Sequence, residues 1–317
     1  MRAGDIELSQ VRRIAARALS ADWLVVERAE SGASTPVYRI RRGREVFYLR
    51  LAENREASLA PEALAHGLLR GRGVRVPEVI FFEPFDEAIE RAVMVTTAIP
   101  GGPIGRQDEG VDLRAVLIEA GRDLAAINDL AVAGFGWIRR DRRIATRLEA
   151  EYASLRAFAD DGFEEHLERL RGVLTDGEVR EIGRVVADRA TWLDVEEARL
   201  VHGDLDAAHI FAANGRYTGI IDVGEMRGAD RWYDLGHVAL HDGETLPAPL
   251  LADLLEGYRD VAPLPADHAQ RIGLWSVLIG VRALARQLDR PSGPYRDHLV
   301  GAIRRSLRGL GGSSSPG

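Results

Sequence analysis

The stretch between residues 202 and 225 constrains this chain more than any other. Two β-favouring runs, residues 210–212 and 217–221, flank Asn214-Gly215. Asn-Gly between apolar runs is the strongest short signal for a tight hairpin, because a type I′ turn needs positive φ at both central residues. A hairpin returns the chain to where it began, so the residues at its open end meet. His202-Gly203-Asp204 and His209 precede this hairpin, and Asp222-Val223-Gly224-Glu225 follow it. Asp204, His209 and Asp222 therefore converge. Two carboxylates meeting in a polar loop point to a bound cation or to one carboxyl with a raised pKa.

Composition narrows the chemistry available to that cluster. The chain has 317 residues, and all 42 of its Lys+Arg cations are arginine. With no lysine there is no Schiff base, no lysine general base and no Walker-type phosphate loop. With no cysteine there is no thiol nucleophile, no disulfide and no cysteine metal site. This cysteine usage points to a cytoplasmic protein. A net charge of −7 argues against a nucleic-acid partner and favours a cationic ligand. The longest apolar stretch, around 274–285, is broken by Arg282 and is too short to span a membrane, so no membrane partner is expected.

The apolar period divides the chain. Residues 9–19 predict a helix capped by Ser9, with Val11, Ile14, Ala15 and Ala18 on one face. Strands are expected at 24–28, 37–41 and 45–51, then a helix at 58–70, then strands at 78–82 and 91–99. Pro100-Gly101-Gly102-Pro103 marks a break. Beyond it the pattern is helical: a helix capped by Asp112, further periodicity over 141–196, a stripe from Leu250 to Tyr258, and helices at 266–289 and 295–308. The hairpin is the one β segment expected in this half. The expected organisation is α+β, with a unit at 1–99, a larger one at 100–310 and a disordered tail at 311–317.

Residues 201–237, VHGDLDAAHIFAANGRYTGIIDVGEMRGADRWYDLGH, resemble the catalytic core of the aminoglycoside phosphotransferase family. That family's pattern is HGD, four residues, Asn, a hairpin, ID-x-G, and a D-x-x-YDL run. The resemblance implies a bilobal protein-kinase-like fold: a small five-stranded β lobe with helices, and a larger, mainly helical lobe. It implies transfer of the γ-phosphoryl group of ATP or GTP, with Mg²⁺, to a hydroxyl of a small molecule. The chain would be a monomer or dimer.

The same resemblance distributes roles. Asp204 is implied to be catalytic and Asp222 to hold metal. Asp234 is implied to accept hydrogen bonds from the catalytic loop. Ser31, Gly32 and Ser34 stand where a nucleotide-covering loop belongs. Arg50, ending the third strand, takes the place of the kinase phosphate-holding lysine, with Glu62 as its helix partner and Glu56 as the alternative. The backbone at Thr97 and Ala98 stands where the family binds the purine edge. His209 departs from the usual Asn, an oxygen ligand better suited to Mg²⁺ than imidazole. It either binds metal directly, binds it through water, or leaves one metal site weak. A histidine in this slot is similar to the macrolide phosphotransferase branch. The expected acceptor is an antibiotic of aminoglycoside, macrolide or nucleoside type. The alternatives are a metabolic kinase for a hydroxy-amino acid, a choline-like compound or a sugar, and a nucleotide-binding pseudokinase.

Overall fold

The computed structural model describes residues 6–21, 23–29, 36–106, 112–246 and 249–311. Two compact units emerge. One comprises residues 1–100 with 139–148 and 219–221, and the other comprises 101–138, 149–218 and 222–317.

The first unit holds α1 (Leu8–Leu19), β1 (Val25–Arg28), β2 (Val37–Arg42), β3 (Glu45–Leu51), α2 (Ala60–Gly71), β4 (Val79–Asp86) and β5 (Arg91–Thr97). Its five strands form one antiparallel sheet in the order β1-β2-β3-β5-β4. Strand alternation sorts β3 onto two faces. Phe47, Leu49 and Leu51 pack with Val11, Ile14, Ala15 and Leu19 of α1. Arg50, out of phase with them, pairs in register with Met94, which lies in a separate cluster with Leu59 and Ala63 beside α2. The alternation thus aims Arg50 at the helix that carries Glu62. The cap of α1 differs from expectation. Glu7 and Gln10 form a reciprocal capping box, while Ser9 lies inside the helix and donates to Glu7. A longer carboxylate two residues upstream reaches the orphan N–H groups that Ser9 was expected to satisfy.

The second unit holds β6 (Gly102–Pro103), α3 (Leu113–Ile127), β7 (Ala131–Val132), β8 (Phe135–Ile138), β9 (Ala150–Tyr152), α4 (Leu155–Asp160), α5 (Phe163–Arg169), α6 (Asp176–Asp188), β10 (Ala198–Val201) and β11 (Ile210–Ala213). It continues through β12 (Arg216–Ile220), whose last two residues group with the first unit, and then β13 (Arg227–Ala229), α7 (Trp232–His241), α8 (Leu251–Val261), α9 (His268–Gln287) and α10 (Pro294–Gly311). Asp112 caps α3 as expected, accepting from Ala115 N–H at 3.1 Å. Asn214 and Gly215 both have positive φ, 51° and 73°, and join β11 to β12 in the expected turn. Gly311 ends α10, and the rest of the expected tail lies outside the described residues.

The main difference from the sequence expectation is a second five-stranded sheet in this unit, ordered β7-β10-β13-β8-β9. Its strands are two to four residues long, too short to carry an alternating pattern. This sheet positions the site. Val201 pairs with Arg227 in antiparallel register, so the loop leaving β10 meets the loop entering β13. Arg282, which interrupts the apolar run of α9, donates to the carbonyls of Phe158, Ala159 and Asp161 at the end of α4. Among the described residues, no helix is long and apolar enough to cross a membrane.

Candidate active site

The site is built on a buried carboxylate. Asp234, in the first turn of α7, is fully buried. Its Oδ1 accepts from Gly203 N–H at 2.9 Å. Its Oδ2 accepts from His202 N–H and from Asn128 Nδ2–H, each at 2.9 Å. An ionised carboxylate only accepts, and three N–H donors converging on it fix the loop that carries Asp204. Gly203 is obligatory there: its φ is 88°, and a Cβ would stand 2.0 Å from the carbonyl oxygen of Glu225.

A buried guanidinium closes the other side. Arg227 Nη1 donates to the carbonyls of Gly203 and Glu225, at 2.7 Å each. Its flat face lies 3.7 Å over the Trp137 ring. Arg227 thereby joins the loop of Asp204 to the loop that follows Asp222.

Asp204 is half-exposed at the mouth of this scaffold. Burial pushes its pKa up, but a hydrogen bond from His237 and the charges of His237, His209 and His202 outweigh that and hold it at about 2. It is ionised at neutral pH. His209 Nδ1 lies 2.6 Å from the Asp204 carbonyl and 3.1 Å from Asp206 Oδ1, and its Nε2 lies 4.0 Å from Asp222 Oδ2. Burial lowers the His209 pKa, yet pairing with Asp206 and the charges of Asp204 and Asp222 raise it to about 9. Asp222 has φ 61° and ψ 58°, the left-handed region that few residues other than glycine occupy. Such a strained residue, held between a hairpin and a one-turn helix, fits a functional role.

In the first unit, Arg50 forms an ion pair with the almost wholly buried carboxylate of Glu62. Glu56, the alternative partner, is exposed and precedes α2. His66, one turn after Glu62, is buried, which lowers its pKa. The linker residues differ in what they offer. Thr97 N–H donates to the Glu78 carbonyl at 2.9 Å, and Ala98 N–H donates to the Val46 carbonyl at 3.1 Å. Both donors are committed to the sheet. Ser31, Gly32 and Ser34 lie outside the described residues.

Asp204, His209 and Asp222 are thus brought together in one unit, and Arg50 and Glu62 in the other. Asp222 supplies a hard oxygen, and His209 Nε2 faces it. Among the described residues no three His, Asp or Glu side chains close around one point. The Asp222 carboxylate is the kind of hard oxygen that Mg²⁺ takes together with waters and phosphate oxygens.

The family model for phosphotransferase enzymes (APH) matches residues 25–271. The chain belongs to that family. It is a phosphotransferase, moving a phosphoryl group from a nucleotide to a hydroxyl. An aminoglycoside 3′-phosphotransferase of Streptomyces fradiae is 29% identical over 232 residues, spanning 69% of this chain and 79% of that one. Among solved structures, a thermostable mutant of aminoglycoside phosphotransferase APH(4)-Ia superposes with a TM-score of 0.67 at 17% identity, covering 95% of this chain and all of that one. Macrolide 2′-phosphotransferase MphH of Brachybacterium faecium gives 0.59 at 15%, covering 98% and 99%. At these identities the structures speak for the kinase-like fold alone.

Three residues of this phosphotransferase site escaped the sequence reading: Asn128, Arg227 and His237. Only His237 left a readable signal. It follows Asp234 by three residues in a helix, hence on the same face.

Proposed function

We propose that the acceptor is a hydroxyl of an aminoglycoside-type antibiotic, with ATP or GTP as the donor. The observation that carries this is the match to the Streptomyces fradiae aminoglycoside 3′-phosphotransferase across most of both chains. The charge of the site agrees. Asp204 and Asp206 stand in the catalytic loop, and Glu244, just beyond α7, feels the charge of Asp206. A polycationic acceptor matches such a surface.

In this reading Asp204 accepts the hydrogen bond of the acceptor hydroxyl and fixes its line of attack. Arg50, kept in place by Glu62, holds phosphate oxygens with a permanently charged fork. Ser31, Gly32 and Ser34 cover the phosphates, and the carbonyls of Thr97 and Ala98 meet the purine. Asp222 and His209 Nε2 hold Mg²⁺, which when bound neutralises charge on the phosphates. His209 must give up its Nε2 proton to serve directly.

Purified protein, Mg²⁺, labelled ATP or GTP, and a panel of aminoglycosides, macrolides and nucleoside antibiotics test the proposal. Label on an aminoglycoside is the expected result. Label only on a macrolide or a nucleoside antibiotic, or on no member of the panel, would overturn it.

Two substitutions test the assignments. Arg50→Lys keeps the charge but loses the fork, and is expected to raise the nucleotide KM about tenfold, roughly one charge-assisted hydrogen bond, with kcat little changed. An unchanged KM would remove Arg50 from the phosphate site. His209→Asn restores an oxygen donor and is expected to lower the Mg²⁺ concentration for half-maximal activity on the order of threefold to tenfold. An unchanged Mg²⁺ requirement would show that His209 does not ligate.

A further inference from the structure

We infer that His237 is a positioning residue for Asp204: its Nε2 meets Oδ1 and leaves Oδ2 to the acceptor hydroxyl. This rests on the assignment of Asp204 as the catalytic carboxylate. The His237 ring is buried in α7. Its Nδ1 lies 3.0 Å from the carbonyl oxygen of Leu205. A carbonyl only accepts, so Nδ1 carries its hydrogen. Nε2 lies 3.3 Å from Asp204 Oδ1, and a carboxylate also only accepts. The two contacts fix the ring between the Leu205 carbonyl and Asp204 Oδ1.

The neighbouring rings are satisfied by other partners. On its own helix, the His241 ring centroid is 4.3 Å away. His241 Nδ1–H donates to the His237 carbonyl, and its Nε2 accepts from the Tyr295 hydroxyl of α10 at 3.1 Å. One N–H and one lone pair are both used, so His241 is satisfied as a neutral ring. Burial and the nearby charge of His237 hold its pKa at about 4. Tyr295 is pushed up to about 12, chiefly by burial, and stays a donor. His298 of α10 is bonded to the Leu240 carbonyl. Beyond these rings stand the acidic Asp204, Asp206 and Glu244, and His209, raised to about 9, beside Asp204.

Three variants of the full chain test the inference. The readout is turnover of the best acceptor of the panel, or MgATP hydrolysis if none is phosphorylated. Asp204→Asn calibrates the assay, and an active Asp204→Asn would overturn the catalytic assignment and this inference with it. His237→Leu is expected to lower kcat about 100-fold with the nucleotide KM unchanged, the scale of a misplaced catalytic group. His237→Gln presents an amide N–H toward Oδ1 and is expected to recover most of that loss. In ¹⁵N-histidine spectra the His237 Nε2 resonance is expected to shift in Asp204→Asn while that of Nδ1 stays in place. An inactive Asp204→Asn beside a folded, fully active His237→Leu overturns the inference alone. So does a His237→Gln as inactive as His237→Leu, or an Nε2 resonance unchanged in Asp204→Asn. If His237→Leu does not fold, the glutamine variant and the spectra decide.

Discussion

Asp204→Ala is expected to lower kcat on the order of 10³-fold while leaving the dissociation constant for nucleotide within about twofold. The physical argument starts from its ionisation. Burial raises its pKa, but His237 and the neighbouring charges of His209 and His202 bring it to about 2. So weak a base does not strip a hydroxyl of its proton before attack. In the proposed role it accepts the hydroxyl hydrogen bond, aligns the oxygen, and takes the proton as the new bond forms, which is what a loose phosphoryl-transfer transition state requires. Removing it costs alignment, and alignment acts on turnover rather than on nucleotide binding. The sign of the pH effect follows. A folded-state pKa below the ordinary carboxylate value means that the ionised form is lost only as pH falls through about 2. Any acid limb of kcat nearer neutrality therefore belongs to another group and should persist in Asp204→Asn measured at high enzyme concentration. Steady-state turnover with ADP titration checks both halves. A variant that keeps more than about a tenth of wild-type kcat would remove Asp204 from the chemistry.

What was legible in the sequence depended on how far each signal reached. The hairpin was legible because Asn214-Gly215 encodes its own turn, and both residues take the positive φ that such a turn needs. The convergence of Asp204, His209 and Asp222 followed from that turn alone. The Arg50–Glu62 pair was legible through the family resemblance, which asks for a cation on the third strand and a carboxylate on the helix that follows. The second sheet was not legible. Strands of two to four residues have no period, and the β10–β13 pairing joins residues nearly 30 apart with nothing in between to announce it. The same limit hid Arg227 and Asn128. Each acts through contacts to backbone groups or to a distant carboxylate, and neither kind of contact leaves a trace in local composition. The lack of lysine was at first only an exclusion. With Arg50 paired to a buried glutamate, it becomes a property of the proposed phosphate clamp, whose charge is fixed and does not titrate away.

The second large effect is expected at Asp234, which touches no reactant. Asp234→Ala removes the acceptor shared by His202 N–H, Gly203 N–H and Asn128 Nδ2–H. All three donors are buried, and each unsatisfied donor costs about 1–3 kcal/mol, partly offset because the carboxylate no longer needs to be desolvated; a net loss on the order of 3–5 kcal/mol is expected. Asn128 keeps its bond to the Leu200 carbonyl, so α3 stays anchored while the catalytic loop is freed. Asp234→Asn separates packing from hydrogen bonding. It preserves volume but turns an amide N–H toward donors that need an acceptor, so it should be nearly as damaging as alanine. Denaturant unfolding gives the stability term. At a temperature where both variants are folded, kcat should still fall about 100-fold, because Asp204 and its His237 contact ride on the released loop. If Asp234→Asn matched the wild type in both stability and turnover, the loop would have to be held by the Arg227 bonds to Gly203 and Glu225 alone. The buried carboxylate would then be a passenger of the fold rather than its organising group.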